Sequence, residues 1–156
     1  MPDRLAKRIG SFFYLGHLPW APGTWGSLAG LLIFWFASEK AHVPVFLGAT
    51  TVAFCACPGA VRAYASKDPS QFVADEVCGM MLGLLWLPKK TELYLAGFIL
   101  FRFFDIVKPW PISVLQKKEG PSFIVWDDLL AGVFANLALR AAAVAGIPAL
   151  FARLGS

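Results

Sequence analysis

Only ten carboxylates occur in the 156 residues, and five of them stand in three places: Asp75-Glu76, Asp105 and Asp127-Asp128. Each place abuts a strongly apolar run. A carboxylate beside membrane-grade apolar sequence is costly to desolvate, so it has a partner or a job. Arg102, Asp105 and Lys108 are spaced i, i+3, i+6 on one helical face, which Pro109 should end. That spacing fits an Arg–Asp–Lys ion cluster entering an apolar bundle. It fits equally well a phosphate-binding cation pair beside a metal-binding or nucleophilic carboxylate. Asp128, Gly132 and Asn136 share a similar face. Asp127-Asp128 also reads as the cap of a helix start, and Asp75-Glu76 as acids complementing a helix N-terminus. Together the two acid pairs and Asp105 form a hard-oxygen set suited to Mg²⁺. Repulsion among so many acids calls for a cation.

A further motif, Gly16-His-Leu-Pro-Trp-Ala-Pro-Gly-Thr-Trp-Gly-Ser27, precedes an apolar helix. Free N–H groups at that helix start, with the Thr24 and Ser27 hydroxyls, would make a phosphate cradle. A capped helix with nothing bound explains the same residues. Of the two histidines only His17 lies beside a motif, so a His-centred mechanism would use it. No serine-hydrolase elbow, phosphate-binding P-loop or zinc-protease motif occurs. Cys55, Cys57 and Cys78 are odd in number and lie in apolar surroundings; they read as buried free thiols.

The elements that must position these groups are apolar and broken. Apolar residues make up 58% and charged residues 15% of the chain, where a soluble domain averages roughly 25% charged residues. A chain this small cannot bury so much apolar side chain in its own core. The composition excludes disorder and an ordinary soluble globule. A net charge of +4, without a basic run of five, suits an anionic membrane surface better than a nucleic acid. Residues 9–38 carry no formal charge but are interrupted by Pro19, Pro22 and Gly23, so a helix is expected from Thr24 or Ser27 to Ser38. Residues 41–61 are long enough to span, with Pro58 expected to kink or end them. Residues 77–87, 93–107 and 129–151 follow, the last with Pro148 near its end. Arg4, Lys7 and Arg8 lead into an expected interfacial amphipathic helix and favour a cytoplasmic N-terminus. Small residues recur four apart at Gly26/Gly30, Gly79/Gly83 and Ala131/Ala135, which permits close helix contact. The expectation is one all-α domain over residues 1–156. It is a compact, membrane-embedded helical bundle with short or broken helices around a polar carboxylate site, crossing the membrane about three to five times.

Four stretches in this order resemble the phosphatidylglycerophosphatase A family. They are Leu18-Pro-x-Ala-Pro-Gly-Thr-Trp-Gly-Ser27, Asp75-Glu-Val-x-Gly79, Phe101-Arg-x-Phe-Asp-Ile-x-Lys-Pro-Trp-Pro111 and Asp127-Asp-x-x-Ala-Gly132. Where the family carries a glycine-rich stretch ending Gly-Ile-Met, this chain reads Gly120-Pro-Ser-Phe-Ile-Val-Trp126. The resemblance implies an all-helical Mg²⁺-dependent phosphatase of the bacterial cytoplasmic membrane. It would convert phosphatidylglycerophosphate to phosphatidylglycerol at the cytoplasmic face. Its partners would be that lipid and the bilayer, with no nucleic acid and no obligatory protein partner. Asp75, Glu76, Asp127 and Asp128 would hold metal. Arg102, Asp105, Lys108 and Asp128 would be catalytic, with attack by Asp105 or by a metal-activated water. His17, Thr24 and Ser27 would bind substrate. Two rivals stand beside this reading: a membrane transporter or scaffold using its carboxylates as a cation relay, and a phosphatase for another ester. Transporters often carry internal two-fold symmetry, and this sequence has none.

Overall fold

Proline, glycine and left-handed residues punctuate a chain that is otherwise helical. The computed structural model describes residues 1–118 and 120–144; the end of the 129–151 run, with Pro148, lies outside them, as does Glu119. Among the described residues there are seven α-helices and no strand. The helices are α1 (Asp3–Gly10), α2 (Pro22–Phe36), α3 (Glu39–Tyr64), α4 (Ala74–Leu84), α5 (Thr91–Val107), α6 (Ile112–Gln116) and α7 (Ser122–Val144). The all-α architecture with short helices is the one expected.

Three boundaries differ from expectation. The second helix starts at Pro22, after Trp20 and Ala21 in left-handed backbone. Proline is pre-organised for a first helical position, where its missing N–H costs nothing. Helix α3 runs through both Pro44 and Pro58 to Tyr64. A mid-helix proline costs about 3 kcal/mol. The buried Ala56, Cys57, Gly59 and Ala60 around Pro58 supply the packing that offsets it. Helix α7 starts at Ser122, so Asp127 and Asp128 sit in its second turn and do not cap it. Pro109 does end α5, whose C-cap Lys108 is left-handed.

Helix α4 forms the axis of the bundle. Its eleven residues are too few to span a bilayer alone, yet nine of them are buried. Glycine lets its neighbours approach. A Cβ on Gly30 would lie 2.6 Å from the Val77 carbonyl oxygen, and one on Gly26 2.8 Å from that of Val73, so α2 rides on the α4 backbone. On the other side, a Cβ on Gly79 would stand 2.6 Å from the Asp128 carbonyl oxygen of α7. Gly26, Gly30 and Gly79 of the expected small-residue pairs thus sit against backbone, while Gly83 is in ordinary contact; Ala131 and Ala135 of α7 are fully buried in the same core. The Asn136 amide of α7 donates to the carbonyls of Leu82, Gly83 and Leu85 at 3.3, 3.0 and 2.9 Å, serving acceptors at the α4 C-terminus.

Helix α1 is charged and lies on α3. Its Asp3 begins the helix and Lys7 and Arg8 end it, matching the helix dipole. Ala6 packs at Gly59, and Arg62 bonds Asp3 at 2.8 Å.

The outer surface is apolar. Helix α5 presents Leu95, Ile99, Phe103 and Ile106, each more than half exposed, at three- and four-residue spacing along one stripe. A helix facing water would place polar residues there. Helices α3 and α7, over Glu39–Tyr64 and Ser122–Ala143, are long and apolar enough to cross a membrane. Exposed Trp20 and Trp110 stand near one end of the bundle, Phe36 and Trp86 near the other.

Candidate active site

Four helix ends meet at one end of the bundle. They are the N-termini of α2 and α4, the C-terminus of α5 and the second turn of α7. They enclose a cavity of about 270 Å³ that holds Asp68, Asp75, Glu76, Arg102, Asp105, Lys108, Asp127 and Asp128. The glycine contact between α4 and α7 makes this meeting possible, because Asp128 lies one turn before Gly132 on α7 and Asp75 one turn before Gly79 on α4.

Carboxylate oxygens of Asp75, Glu76 and Asp128 come within 4.8 Å of one another. Asp75 accepts the Glu76 backbone N–H at 3.0 Å. Glu76 Oε2 and Asp128 Oδ2 are buried with no hydrogen-bond partner among the described residues. Burial, followed by the neighbouring charges of Glu76 and Asp128, pushes the Asp75 carboxyl well above the ordinary carboxylate range. Burial raises Glu76 as well. An acid cluster whose charged forms are disfavoured by burial and mutual repulsion, with two oxygens left without partners, fits a hard divalent cation.

The cations are arranged around Asp105. Arg102 Nη1 donates to Asp105 Oδ2 at 2.6 Å and reaches Ser27 Oγ at 3.4 Å. Lys108 Nζ donates to Asp127 Oδ2 at 2.5 Å and lies 3.9 Å from Asp105 Oδ1. Burial alone would lower the Lys108 pKa. Its bond to Asp127, with the charges of Asp127, Asp128 and Asp105, outweighs burial and raises it, so Lys108 remains an ammonium. Arg102 and Lys108 thus bring two fixed positive charges to the cavity. The predicted ion cluster and the predicted anion-binding pair are the same groups. Helix α2 contributes backbone here: a Cβ on Gly23 would collide with the Glu76 carboxylate and lie 2.9 Å from Arg102 Nη1.

The expected phosphate cradle is placed differently. Ala21, Pro22 and Gly23 line the cavity, whereas Thr24 does not. Ser27 is fully buried behind Arg102 and donates to the Gly23 carbonyl at 2.7 Å, so its hydroxyl positions the guanidinium. His17 lies outside the cavity, on a short 3₁₀ turn, with Nε2 3.2 Å from the Tyr64 hydroxyl. Its own local turn carries it toward α3. Asp68 and Ser70, in the loop between α3 and α4, line the cavity without having been predicted to do so. The signal for them is thin: an acid beside a turn proline, seven residues before Asp75. Of the cysteines, Cys57 and Cys78 are buried free thiols while Cys55 is exposed. Burial pushes the Cys78 thiol up to about 12, which leaves it inert as a nucleophile.

Comparison with known proteins gives a consistent picture. The family described as Phosphatidylglycerophosphatase A matches residues 8–143. A Haemophilus influenzae protein named Phosphatidylglycerophosphatase A is 36% identical over 78% of this chain and 78% of its own length. Its Escherichia coli namesake is 34% identical over 78% of this chain and 73% of its own length. A Bacteroides thetaiotaomicron protein, provisionally named phosphatidylinositol-3-phosphatase, is 34% identical over 90% of this chain and 95% of its own length. No solved structure matches the chain.

Proposed function

The chain belongs to the phosphatidylglycerophosphatase A family, and from that premise we propose that it is a Mg²⁺-dependent phosphatidylglycerophosphatase. It is a phosphoric monoester hydrolase. In this reading it removes the terminal phosphate of phosphatidylglycerophosphate, leaving phosphatidylglycerol, at the cytoplasmic face of a bacterial membrane. The observation that carries the reading is the convergence of Asp75, Glu76 and Asp128 within 4.8 Å, beside Arg102 and Lys108.

Asp75, Glu76 and Asp128 would hold the metal, with Asp127 at the edge of the set. A bound Mg²⁺ there supplies charge neutralisation of the acids and polarisation of the phosphate. Arg102 and Lys108 bind the non-bridging phosphate oxygens and neutralise charge developing on them. Asp105 orients both cations, since Arg102 bonds one of its oxygens and Lys108 lies near the other. Ser27 fixes Arg102 from behind. Asp75, Asp127 and Asp128 are buried in the cavity wall, which strengthens the electrostatic interactions made there.

A membrane setting is supported by two long apolar helices, the exposed apolar stripe of α5, and tryptophans near both ends. Among the described residues more cations lie at the site end, on α1, at the end of α3 and in the loops after α3 and α6 (Arg4, Lys7, Arg8, Arg62, Lys67, Lys117 and Lys118), than at the far end, with Lys40, Lys89, Lys90 and Arg140. Such a bias favours a cytoplasmic site.

The test is phosphate release from purified protein across a panel with Mg²⁺ or with EDTA. The panel holds phosphatidylglycerophosphate, phosphatidylinositol 3-phosphate, phosphatidate and glycerol 3-phosphate. Mg²⁺-dependent release fastest from phosphatidylglycerophosphate is expected. Faster release from the inositol lipid would transfer the substrate assignment to the activity named for the Bacteroides relative. A protein inert on every ester, yet moving cations across vesicles, would overturn the enzyme reading.

A further inference from the structure

A second cavity, of about 370 Å³, adjoins the first, between the loop that follows α3 and the turn from α6 to α7. Lys67, Lys117 and Lys118 line it. It shares Asp68, Ile124 and Asp127 with the carboxylate cavity, so the two have a wall in common. Among the described residues three ammonium groups and two carboxylates line this second cavity, and Asp127 already accepts a hydrogen bond from Lys108. Among the described residues no ion pair engages Lys67, Lys117 or Lys118. Lys118 Nζ stands 5.5 Å above the Phe123 ring, which is part of the cavity wall, and this cation–π contact orients the ammonium there. A concave surface with surplus positive charge concentrates anions.

We propose that this lysine cavity binds the phosphodiester of the substrate's own headgroup while the terminal phosphate occupies the carboxylate cavity. The inference rests on the lipid phosphatase reading. In that reading the substrate carries a phosphomonoester and a phosphodiester joined by one glycerol unit, and the two cavities are joined by one shared wall. Asp105 and Asp127 hold Arg102 and Lys108 in the carboxylate cavity, where that reading assigns them to the terminal phosphate, so they leave the diester unserved. Ammonium groups suit that diester, because they act as point charges with no demand for two-pronged geometry. The arrangement makes the enzyme selective for lipids bearing two phosphates across a short polyol. Phosphatidate, with a single phosphate, gains nothing from the lysines. A phosphorylated inositol lipid meets the same requirement as phosphatidylglycerophosphate.

The test compares the wild-type protein with the combined Lys67→Met, Lys117→Met, Lys118→Met variant, both with Mg²⁺ in a neutral detergent. The ratio of kcat/KM for phosphatidylglycerophosphate to that for phosphatidate is expected to fall about tenfold in the variant, mainly through KM. An equal loss on both lipids, or no loss, would overturn the proposal. A loss seen only on anionic vesicles and absent in neutral detergent would overturn it in favour of bilayer docking. Titration with sn-glycero-3-phosphoglycerol, the deacylated diester without a terminal phosphate, reads the site without turnover. Wild type should bind it about tenfold more tightly than the variant. Equal binding, or none by wild type, overturns the lysine assignment. Failure of wild type to release phosphate from phosphatidylglycerophosphate, with the diester still bound, overturns instead the function on which the inference rests.

Discussion

Gly79 and Gly132 meet backbone to backbone where α4 crosses α7: a Cβ on Gly132 would overlap the Gly79 carbonyl oxygen. The neighbour is backbone, so it cannot swing aside, and the helices must part. Parting them separates Asp75 and Glu76 from Asp128. Gly132→Ala is therefore expected to destabilise the protein by about 1–3 kcal/mol, as overpacking does. The melting temperature in detergent should fall by about 2–4 °C for each kcal/mol, with weaker Mg²⁺ binding. Unchanged melting and activity would show that the crossing is looser than this.

Asp128 places an orphaned oxygen at the carboxylate cluster. Asp128→Asn preserves its shape and removes its charge. Phosphate release should drop at least about 10²-fold, and Mg²⁺ should no longer raise the melting temperature. Full phosphate release by the purified variant would remove Asp128 from the site.

The charged members of the site are legible in the sequence because a charge inside apolar sequence is rare and expensive. Asp75, Glu76, Arg102, Asp105, Lys108, Asp127 and Asp128 are all found that way, and all line one cavity. Asp68 is not, because in Lys67-Asp68-Pro69-Ser70 an acid is explained by solvation alone. His17 and Thr24 read as site residues through their neighbours in the chain, yet a tight turn sends His17 to Tyr64. Thr24 lies one residue past the part of α2 that lines the cavity. The small-residue pairs at four-residue spacing indicate close helix contact but not its partners, which are α2 and α7 on α4, and Gly132, at the closest approach, belongs to none of the pairs. The passage of α3 through Pro58 is invisible locally, since tertiary contacts of the small residues around it decide the outcome.

The metal-free protein should lose stability as pH rises. Asp75 and Glu76 have folded-state pKa values above their ordinary 3.8 and 4.5. Between the ordinary and raised values the folded state holds more protons than the unfolded state, so unfolding becomes easier with increasing pH. The contribution is fully present below the ordinary values and is lost as pH climbs through the raised ones. Melting in EDTA should show this decline for wild type relative to Glu76→Gln. Mg²⁺ should restore stability at the high end, where its carboxylate ligands are ionised. A wild-type profile parallel to that of Glu76→Gln would contradict the assignment.

Arg102 and His17 provide the sharpest contrast between neighbours in sequence motifs and neighbours in space. Arg102 Nη1 contacts both Asp105 and Ser27, a geometry that a lysine ammonium does not reproduce. Arg102→Lys should lower kcat by about 10²-fold, the scale of losing one donor to transition-state charge. Ser27→Ala should lower it by less, since the stronger bond to Asp105 persists. His17→Phe should retain activity within about twofold, because it changes a contact with Tyr64 outside the cavity and surface changes of that kind have small effects. Steady-state phosphate release by the three variants decides the order. A His17→Phe loss as large as that of Arg102→Lys would place the imidazole back in the reaction.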